Sequence, residues 1–536
     1  MNFQLPHWVR PGIFVFLFAC LLTTLGINRF DLRESTEPRE AGIAADMLQN
    51  SQFLVPTLNG RPFLEKPPLS YWLQAGAIKL FGYEAFAPRL PSALAGIATV
   101  GLLIFFFRRS QEKEKLILLS GFLLISMASF WGYARTAGQD ILLAFGVALA
   151  LLAFYFTREQ TGKALWWLYA LGIAIATMTK GVIGLAVPGV VIFCFLMMET
   201  LYLDKRFVFS QWLYAAIFAL IGLLPLLSWL AVLYSSQGAD SVKEVMWTNS
   251  VGRFQGEYAY GAHAEPFYFY LRKLPETYQP WSLLLYAAVI FAIKTLRQNK
   301  RVLFFLCWFI APYVLLSMSS GKRPSYVLML YPAAAVLLAQ VIVLLTQTPN
   351  QRAERAKVIK GLWVVQAVLF SIIPVFVAAR LHKAHAPVAA ALVLILGLLC
   401  VGWLWRAVKT QQLFHGLLAS AGIILLSYSS YFSFFVPHDD QKQSAKRVMQ
   451  QLDSFVQAGR PVALYKPTER MEGAVSFYLQ RRVPVYRDLA VLQAALVEQP
   501  STVILTAEEK DLNLAEFKDE AQIRYASIQY HYISSK

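Results

Sequence analysis

The sequence predicts a polytopic α-helical membrane protein that ends in a small α/β domain. Of its 536 residues, 57% are hydrophobic and only 15% are charged, and the mean hydropathy is +0.48. Apolar runs of about 18 or more residues recur along most of the chain, and each could span ~30 Å of hydrocarbon. The segment from residue 437 onward is more polar and mixes helical with strand-like patterns.

The apolar runs define about thirteen transmembrane helices. The first run, from Gly12 to Ile27, lacks a small-residue cleavage site and is therefore interpreted as a span and not as a signal peptide. The predicted spans are 11–27, 88–107, 115–132, 140–157, 164–179, 181–200, 211–235, 280–294, 302–318, 326–346, 360–379, 387–405 and 413–436.

The loops that follow the even-numbered spans are basic, which predicts that they face the cytoplasm. Two long loops, 28–87 and 236–279, then lie on the outer side together with the C-terminal segment. We therefore expect a transmembrane domain over 1–436, with both long loops inside it, and an outer α/β domain over 437–536.

The first outer loop predicts two amphipathic helices that lie along the membrane surface. The stretch EPREAGIAADMLQN has Thr36 as its expected N-cap and Pro38 in its first turn. The stretch LSYWLQAGAIKLFG carries Tyr71 and Trp72, the aromatic residues typical of a membrane interface. In the C-terminal segment, PVALYK, VPVYRD and STVILT predict strands, and SAKRVMQQLDSFV and LAVLQAALVEQ predict helices.

The net charge of +17 does not indicate a nucleic-acid partner, because basic cytoplasmic loops account for it. The four cysteines lie far apart inside apolar runs. They are therefore expected to be small buried residues and not disulfides or metal ligands. They are Cys20, Cys194, Cys307 and Cys400.

Four polar clusters fall on the outer side of this topology, and they carry the candidate chemistry. Cations at a membrane edge can hold the phosphate of a membrane-anchored substrate, and a carboxylate there can accept a proton. The alternative is that these groups are solvated loop charges or pairs that satisfy each other. The clusters are residues 33–40; Arg61 with Glu65 and Lys66; Arg253 with His263 and Glu265; and Lys322 with Arg323 and Tyr326. Asp140 and Lys180 lie at the outer ends of spans.

The stretch NSQFLVPTLNGRPFLEKPPLSYWLQAGAIKLFG resembles the first loop of bacterial lipid-carrier-dependent glycosyltransferases. These enzymes belong to the protein O-mannosyltransferase superfamily and have the GT-C fold. The chain is most similar to the lipid A 4-amino-4-deoxy-L-arabinose transferases. MTKGVIGLAVP, RFQGEYAYGAHAEPFYFYL and SSGKRPSYVLMLYP match that group in the same order. The resemblance covers roughly residues 10–345.

The resemblance implies a function at the periplasmic face of the inner membrane. Members take a sugar from undecaprenyl phosphate, transfer it to lipid A or another glycan acceptor, and release the polyprenyl phosphate. The implied catalytic carboxylates are Glu34, Glu37, Glu65 and Asp140. The resemblance implies a carrier-phosphate site with Arg39, Lys66, Arg253, Lys322 and Tyr326, and Arg61 of the second polar cluster is a further candidate ligand. His263 aligns with a family histidine that can lie beside a metal near Glu65, but the resemblance does not imply that a divalent metal is required.

The first loop departs from the family pattern at one position. The family usually has Asp-Glu where this chain has Thr36-Glu37. A threonine cannot act unaided as a general base, so Glu37 or Glu34 would have to take over. The departure bears on the acceptor, because the base and the nucleophile must suit each other.

Other functions of the same topology stay open at this point. Another sugar could be transferred to lipopolysaccharide core, to a glycan or to protein. An O-antigen ligase or polymerase also works on carrier-linked sugars, but it is not expected to carry the LEKPP loop. A transporter or flippase predicts charges near the bilayer midplane, whereas the spans here are nearly free of charge.

Overall fold

The computed structural model describes residues 10–33, 36–109, 114–158, 164–255, 265–295, 299–347, 352–507, 512–525 and 528–536. Its helices, in chain order, are α1 Pro11–Thr24, α2 Glu37–Gln49, α3 Leu69–Phe81, α4 Leu90–Arg109, α5 Glu114–Ser126, α6 Ala128–Tyr133, α7 Asp140–Thr157, α8 Ala164–Lys180, α9 Ile183–Glu199, α10 Phe209–Gln237, α11 Ala239–Lys243, α12 Arg253–Gln255, α13 Phe269–Thr277, α14 Ser282–Thr295, α15 Lys300–Met318, α16 Tyr331–Gln347, α17 Arg352–Lys383, α18 Pro387–Thr410, α19 Leu413–Ser430, α20 Val436–Gln443, α21 Lys446–Gln457, α22 Glu469–Ala474 and α23 Leu489–Glu498. The strands are β1 Thr57–Leu58, β2 Arg61–Pro62, β3 Val462–Tyr465, β4 Val485–Tyr486, β5 Val503–Ala507, β6 Phe517–Tyr525 and β7 Ile528–Ser535.

The prediction of a polytopic helical membrane protein is confirmed. Each predicted span coincides with at least one helix. Within the described residues, nine helical segments are long and apolar enough to cross a membrane. The predicted span 115–132 differs, because it is divided into α5 and α6 at Met127. There the Ala128 N–H donates to the carbonyl of Gln279 at 2.8 Å, outside the helical pattern.

The chain divides into two compact units. The first, called the spanning unit, comprises Met1–Leu25, Glu65–Pro67 and Ser92–Tyr431. The second, called the α/β unit, comprises Gly26–Leu64, Pro68–Pro91 and Phe432–Lys536. Most of the first outer loop therefore belongs with the C-terminal segment, whereas the sequence grouped that loop with the spans.

Close packing of α7 against α8 is the feature of the spanning unit that positions charged groups. A Cβ added to Gly172 would lie 2.4 Å from the backbone nitrogen of Ala150, and one added to Gly146 would lie 2.8 Å from that of Ala176. Small residues at such contacts let two membrane helices approach backbone to backbone. Because the two helices are consecutive and antiparallel, the first residue of α7 lies beside the last residue of α8.

The α/β unit contains a five-stranded mixed sheet in the order β4-β3-β5-β7-β6. β3 pairs in parallel with β4 and β5, and β7 pairs antiparallel with β5 and β6. The three strands expected from the sequence correspond to β3, β4 and β5, while β6 and β7 were not predicted. α21 and α22 contribute Val448, Leu452 and Met471 to one of the apolar clusters of this unit.

The first loop joins this unit through α2, which packs on α22. A Cβ on Gly42 would lie 2.3 Å from the Cα of Gly473, and one on Gly473 would lie 2.2 Å from the carbonyl oxygen of Pro38. Any side chain at either glycine would force the two helices apart. Phe477 joins Ala44 and Ala75 in a further apolar cluster, so α2, α3 and the C-terminal segment share one core.

Gly172→Ala is expected to lower the thermal unfolding midpoint of the purified protein, because the added methyl group collides with the α7 backbone. Gly189→Ala is the matched control, since a Cβ there meets nothing within 4 Å. Melting curves of both variants in the same detergent test this. Equal midpoints would contradict the close packing of α7 on α8.

Candidate active site

Asp140 and Lys180 form an ion pair at one end of the α7–α8 helix pair. Asp140 is the first residue of α7 and Lys180 the last residue of α8. The Lys180 ammonium donates to Oδ1 of Asp140. The side chains of Asp140 and Lys180 are 23% and 15% exposed, so the pair is reachable but partly desolvated.

Three further groups meet this pair within the spanning unit. Lys66 interacts electrostatically with Asp140, and the side chain of Ser325 is hydrogen-bonded to the Asp140 carboxylate. The Lys180 ammonium lies 4.4 Å from the ring centroid of Tyr326, a cation–π contact. Ser325 and Tyr326 are presented by a 3₁₀ helix, Pro324–Leu330. Two ammonium groups therefore lie near Asp140, and together they could contact an anionic ligand.

Glu65 lies beside this cluster in a different electrostatic setting. Its carboxylate is 3.8 Å from the Lys66 ammonium. It also faces Glu244, whose pKa is raised by burial and by the charge of Glu65. Glu244 belongs to the π-helical turn Glu244–Gly252. A pair of carboxylates of this kind can hold a proton between them more readily than an isolated carboxylate can.

Lys322 turns toward backbone carbonyls in the same unit. Its ammonium donates to the carbonyl of Glu265 at 2.7 Å and also to the carbonyl of Ser319. Burial lowers the pKa of Lys322, while the charge of Glu265 opposes this shift. In the SSGKRPSY segment, Lys322 is thus held by hydrogen bonds to backbone carbonyls. Tyr326 of the same segment contacts Lys180.

Glu37 lies in the α/β unit and is paired with Arg89. Nε of Arg89 donates to Oε1 of Glu37 and Nη2 donates to Oε2, both at 2.8 Å. The backbone N–H of Arg33 donates to the same Oε2 at 2.8 Å. Glu37 is only 1% exposed. Because both oxygens already accept hydrogen bonds, these contacts favour a structural role over proton transfer, and the catalytic role of Glu37 stays a prediction.

The arginines predicted to bind phosphate in the first loop also contact carboxylates of the α/β unit. Arg39 donates to Glu469 at 2.8 Å and to Glu40 at 2.9 Å. Arg61 donates to Glu472, which is fully buried. These contacts favour structural roles, and phosphate binding by Arg39 and Arg61 is likewise still only predicted.

Three predicted site residues remain. Glu34 and His263 fall outside the described residues. Arg253 begins α12. No group of three or more His, Cys, Asp or Glu side chains within the described residues could hold a metal ion.

The sequence did not single out Arg89, Glu244 or Ser325. Arg89 lies where the predicted span 88–107 begins. Its position as a charged residue at the end of an apolar run was therefore the only sequence feature that could have identified it. Glu244 had a better signal, because it lies in the second long loop, which already supplied candidate residues. Ser325 lies between two residues of the SSGKRPSY segment that were selected.

The chain is similar to known membrane glycosyltransferases. A family model described as dolichyl-phosphate-mannose-protein mannosyltransferase matches residues 65–229, a range that contains Glu65, Lys66, Asp140 and Lys180. The structure resembles that of ArnT from Cupriavidus metallidurans bound to undecaprenyl phosphate, with a TM-score of 0.74, 16% identity and 97% coverage of both chains. The chain has the GT-C fold of that ArnT structure.

Curated relatives of this chain include two enzymes named undecaprenyl phosphate-alpha-4-amino-4-deoxy-L-arabinose arabinosyl transferase. Transferase 1 of Pseudomonas fluorescens is 33% identical over 63% of this chain and 60% of its own length. Transferase 2 of Proteus mirabilis is 27% identical over 61% of this chain and 59% of its own length. The chain thus spans about three fifths of the length of these relatives.

Arg89→Met is expected to destabilise the α/β unit by about 3–5 kcal/mol, because it removes the guanidinium that pairs with the buried carboxylate of Glu37. The double variant Arg89→Met/Glu37→Gln removes the charge of that carboxylate as well and should recover part of the loss. Chemical unfolding of the purified variants measures both effects.

Arg206→Met is the control for Arg89→Met, since Arg206 is exposed and has no ion-pair partner among the described residues. If the Arg89 and Arg206 variants unfold at the same denaturant concentration, the buried pair does not have the structural role that its geometry indicates.

Proposed function

We propose that this protein transfers a sugar from a polyprenyl-phosphate carrier, with inversion at the anomeric carbon, at the periplasmic face of the bacterial inner membrane. The best candidate donor is undecaprenyl phosphate carrying 4-amino-4-deoxy-L-arabinose, and the best candidate acceptor is lipid A. The relatives named above support the donor.

The observation that carries this proposal is the convergence of Lys66 and Lys180 on Asp140. Glu65 lies beside Lys66 and Asp140 beside Lys180, so a carrier phosphate would bind the two ammonium groups in competition with these carboxylates. Its charged groups lie at the end of apolar helices. A carrier phosphate could bind there while its polyprenyl chain stays in hydrocarbon.

The reaction exchanges one bond at the anomeric carbon for another. An acceptor oxygen forms a bond to the anomeric carbon, while the bond between the anomeric carbon and the carrier phosphate oxygen breaks. The electron pair leaves with the phosphate, whose negative charge rises. Lys66 and Lys180 stabilise this charge more in the transition state than in the ground state, which is how preorganised cations accelerate group transfer. The tyrosine ring beneath Lys180 helps to fix the position of its ammonium.

The carboxylates divide into two proposed roles. Asp140 holds Lys180 in place and is a poor proton acceptor beside two cations. Glu65, with Glu244 close by, is better suited to take a proton from an acceptor hydroxyl. An acceptor phosphate is already ionised at neutral pH and would need no base. A phosphate acceptor is therefore compatible with Thr36 at the position where the family usually has aspartate.

Transfer of another sugar to lipopolysaccharide core, to a glycan or to protein is the second candidate. The same phosphate cluster would serve it, since the leaving group is unchanged. Mass spectrometry of lipid A from cells with and without this chain separates the two. An aminopentose-sized mass that depends on the chain supports the first candidate, and unchanged lipid A rejects it.

Lys66→Ala and Asp140→Asn are each expected to lower the rate of carrier release by roughly a hundredfold or more, as removal of one charge-stabilising group commonly does. The measurement is release of undecaprenyl phosphate from the sugar donor by purified protein. Arg406→Gln, in an exposed position at the end of α18, serves as the control. Full activity of Lys66→Ala in correctly folded protein would exclude the proposed phosphate site.

The rate of transfer is expected to decline at a lower alkaline pH than it would if Lys322 had the pKa of an ordinary lysine. Burial lowers the pKa of Lys322, so its ammonium loses its charge at a lower pH than the ammonium of an ordinary lysine does. Lys322→Arg keeps its charge and should shift the alkaline decline to higher pH. Rate profiles measured with saturating donor test this, and superimposable profiles would remove Lys322 from the reaction.

A further inference from the structure

A membrane-facing groove lies between α1 and α4, at the end opposite to the candidate active site in the predicted topology. Its volume is about 630 Å³, and its walls are apolar except at one end. The apolar lining includes Ile13, Phe16, Leu17 and Phe105, which are between 42% and 55% exposed. The volume lies within the range of roughly 300–1,000 Å³ that ligand sites occupy.

Arg108 and Arg109 close the polar end of the groove. The guanidinium of Arg108 lies against the first turn of α1, because a Cβ added to Gly12 would lie 2.8 Å from its Nη2 atom. Within the described part of the chain, Arg108 has no ion-pair partner. The groove itself is lined by no acidic residue.

The start of α1 adds to this positive field. α1 has 14 residues, and no acidic residue lies in its first turn. The N–H groups of a helix N-terminus carry partial positive charge, although those of Ile13 and Phe14 already donate to the carbonyl of Arg10. Arg108 beside Gly12 adds a formal positive charge at this end of the groove, and both charges attract an anionic ligand.

We propose that this groove binds an acidic phospholipid. The headgroup phosphate is held by Arg108 beside the start of α1, and one acyl chain lies along Phe16, Leu17 and Phe105. Charge selects the headgroup, since a guanidinium can hold a phosphate with two parallel hydrogen bonds. The apolar walls of the groove favour an acyl chain over water. Basic pockets between membrane helices on the cytoplasmic side suit acidic lipids for this reason.

The test is native mass spectrometry of the full chain from bilayer discs that contain equal amounts of phosphatidylglycerol and phosphatidylcholine. The wild-type protein should retain phosphatidylglycerol in preference. Arg108→Gln should reduce that preference roughly tenfold, the loss expected for one charge-assisted contact. Arg406→Gln removes an exposed arginine from the basic end of α18 and should leave the preference unchanged.

A second variant tests the apolar part of the site. A Cβ at Gly101 makes only ordinary contact with Phe16, at 3.9 Å, so Gly101→Leu can fill the groove without displacing α1. It should reduce retention of lipid while Arg108 is intact. Equal retention of both lipids by the wild-type protein, or equal preference in wild type and Arg108→Gln, would overturn the proposal. The readout is bound lipid, so the result does not depend on the proposed transferase activity.

Discussion

Arg89 is fully buried, and the beginning of the first loop is arranged around it. Its five N–H donors go to the two oxygens of Glu37 and to the carbonyls of Ile27, Phe30 and Asp31. Its guanidinium also lies 4.0 Å from the ring centroid of Phe30. A guanidinium taken out of water is tolerated only when its charge and donors are matched in this way. The turn before α2 and the start of α2 are therefore held to one geometry.

Charges in the two units have different kinds of environment. In the α/β unit, Asp46 and Glu472 are fully buried and accept from partly exposed arginines, an arrangement that stabilises a fixed structure. In the spanning unit, Lys66 lies beside Glu65 and Lys180 beside Asp140, and all four side chains are partly exposed, between 13% and 23%. The groups best suited to bind and release an anion are therefore the ones that a ligand can reach.

The sequence predicted the spans because apolar runs of this length are rare outside membranes. It selected Lys66 and Asp140 because both lie on the outer side of the predicted topology and match motifs of the family that the chain resembles. It could not predict which charges pair. Arg89 and Glu37 are far apart in sequence, and only the fold brings them together. β6 was missed because it is largely exposed and shows no apolar alternation. The roles of Arg39 and Arg61 depend on C-terminal carboxylates that no local pattern reveals.

The α/β unit is built from segments that lie far apart in the chain, and this has a consequence for biosynthesis. Its first segments end at Pro91 and its last begins at Phe432, about 340 residues later. At roughly 5–20 residues per second, the ribosome needs roughly 17 to 70 seconds to make the intervening chain. During that interval Asp46 and Arg61 have been synthesised, but Arg482 and Glu472 have not. The first loop therefore cannot form these ion pairs until translation is nearly complete, and a chain that stops before Glu472 lacks them.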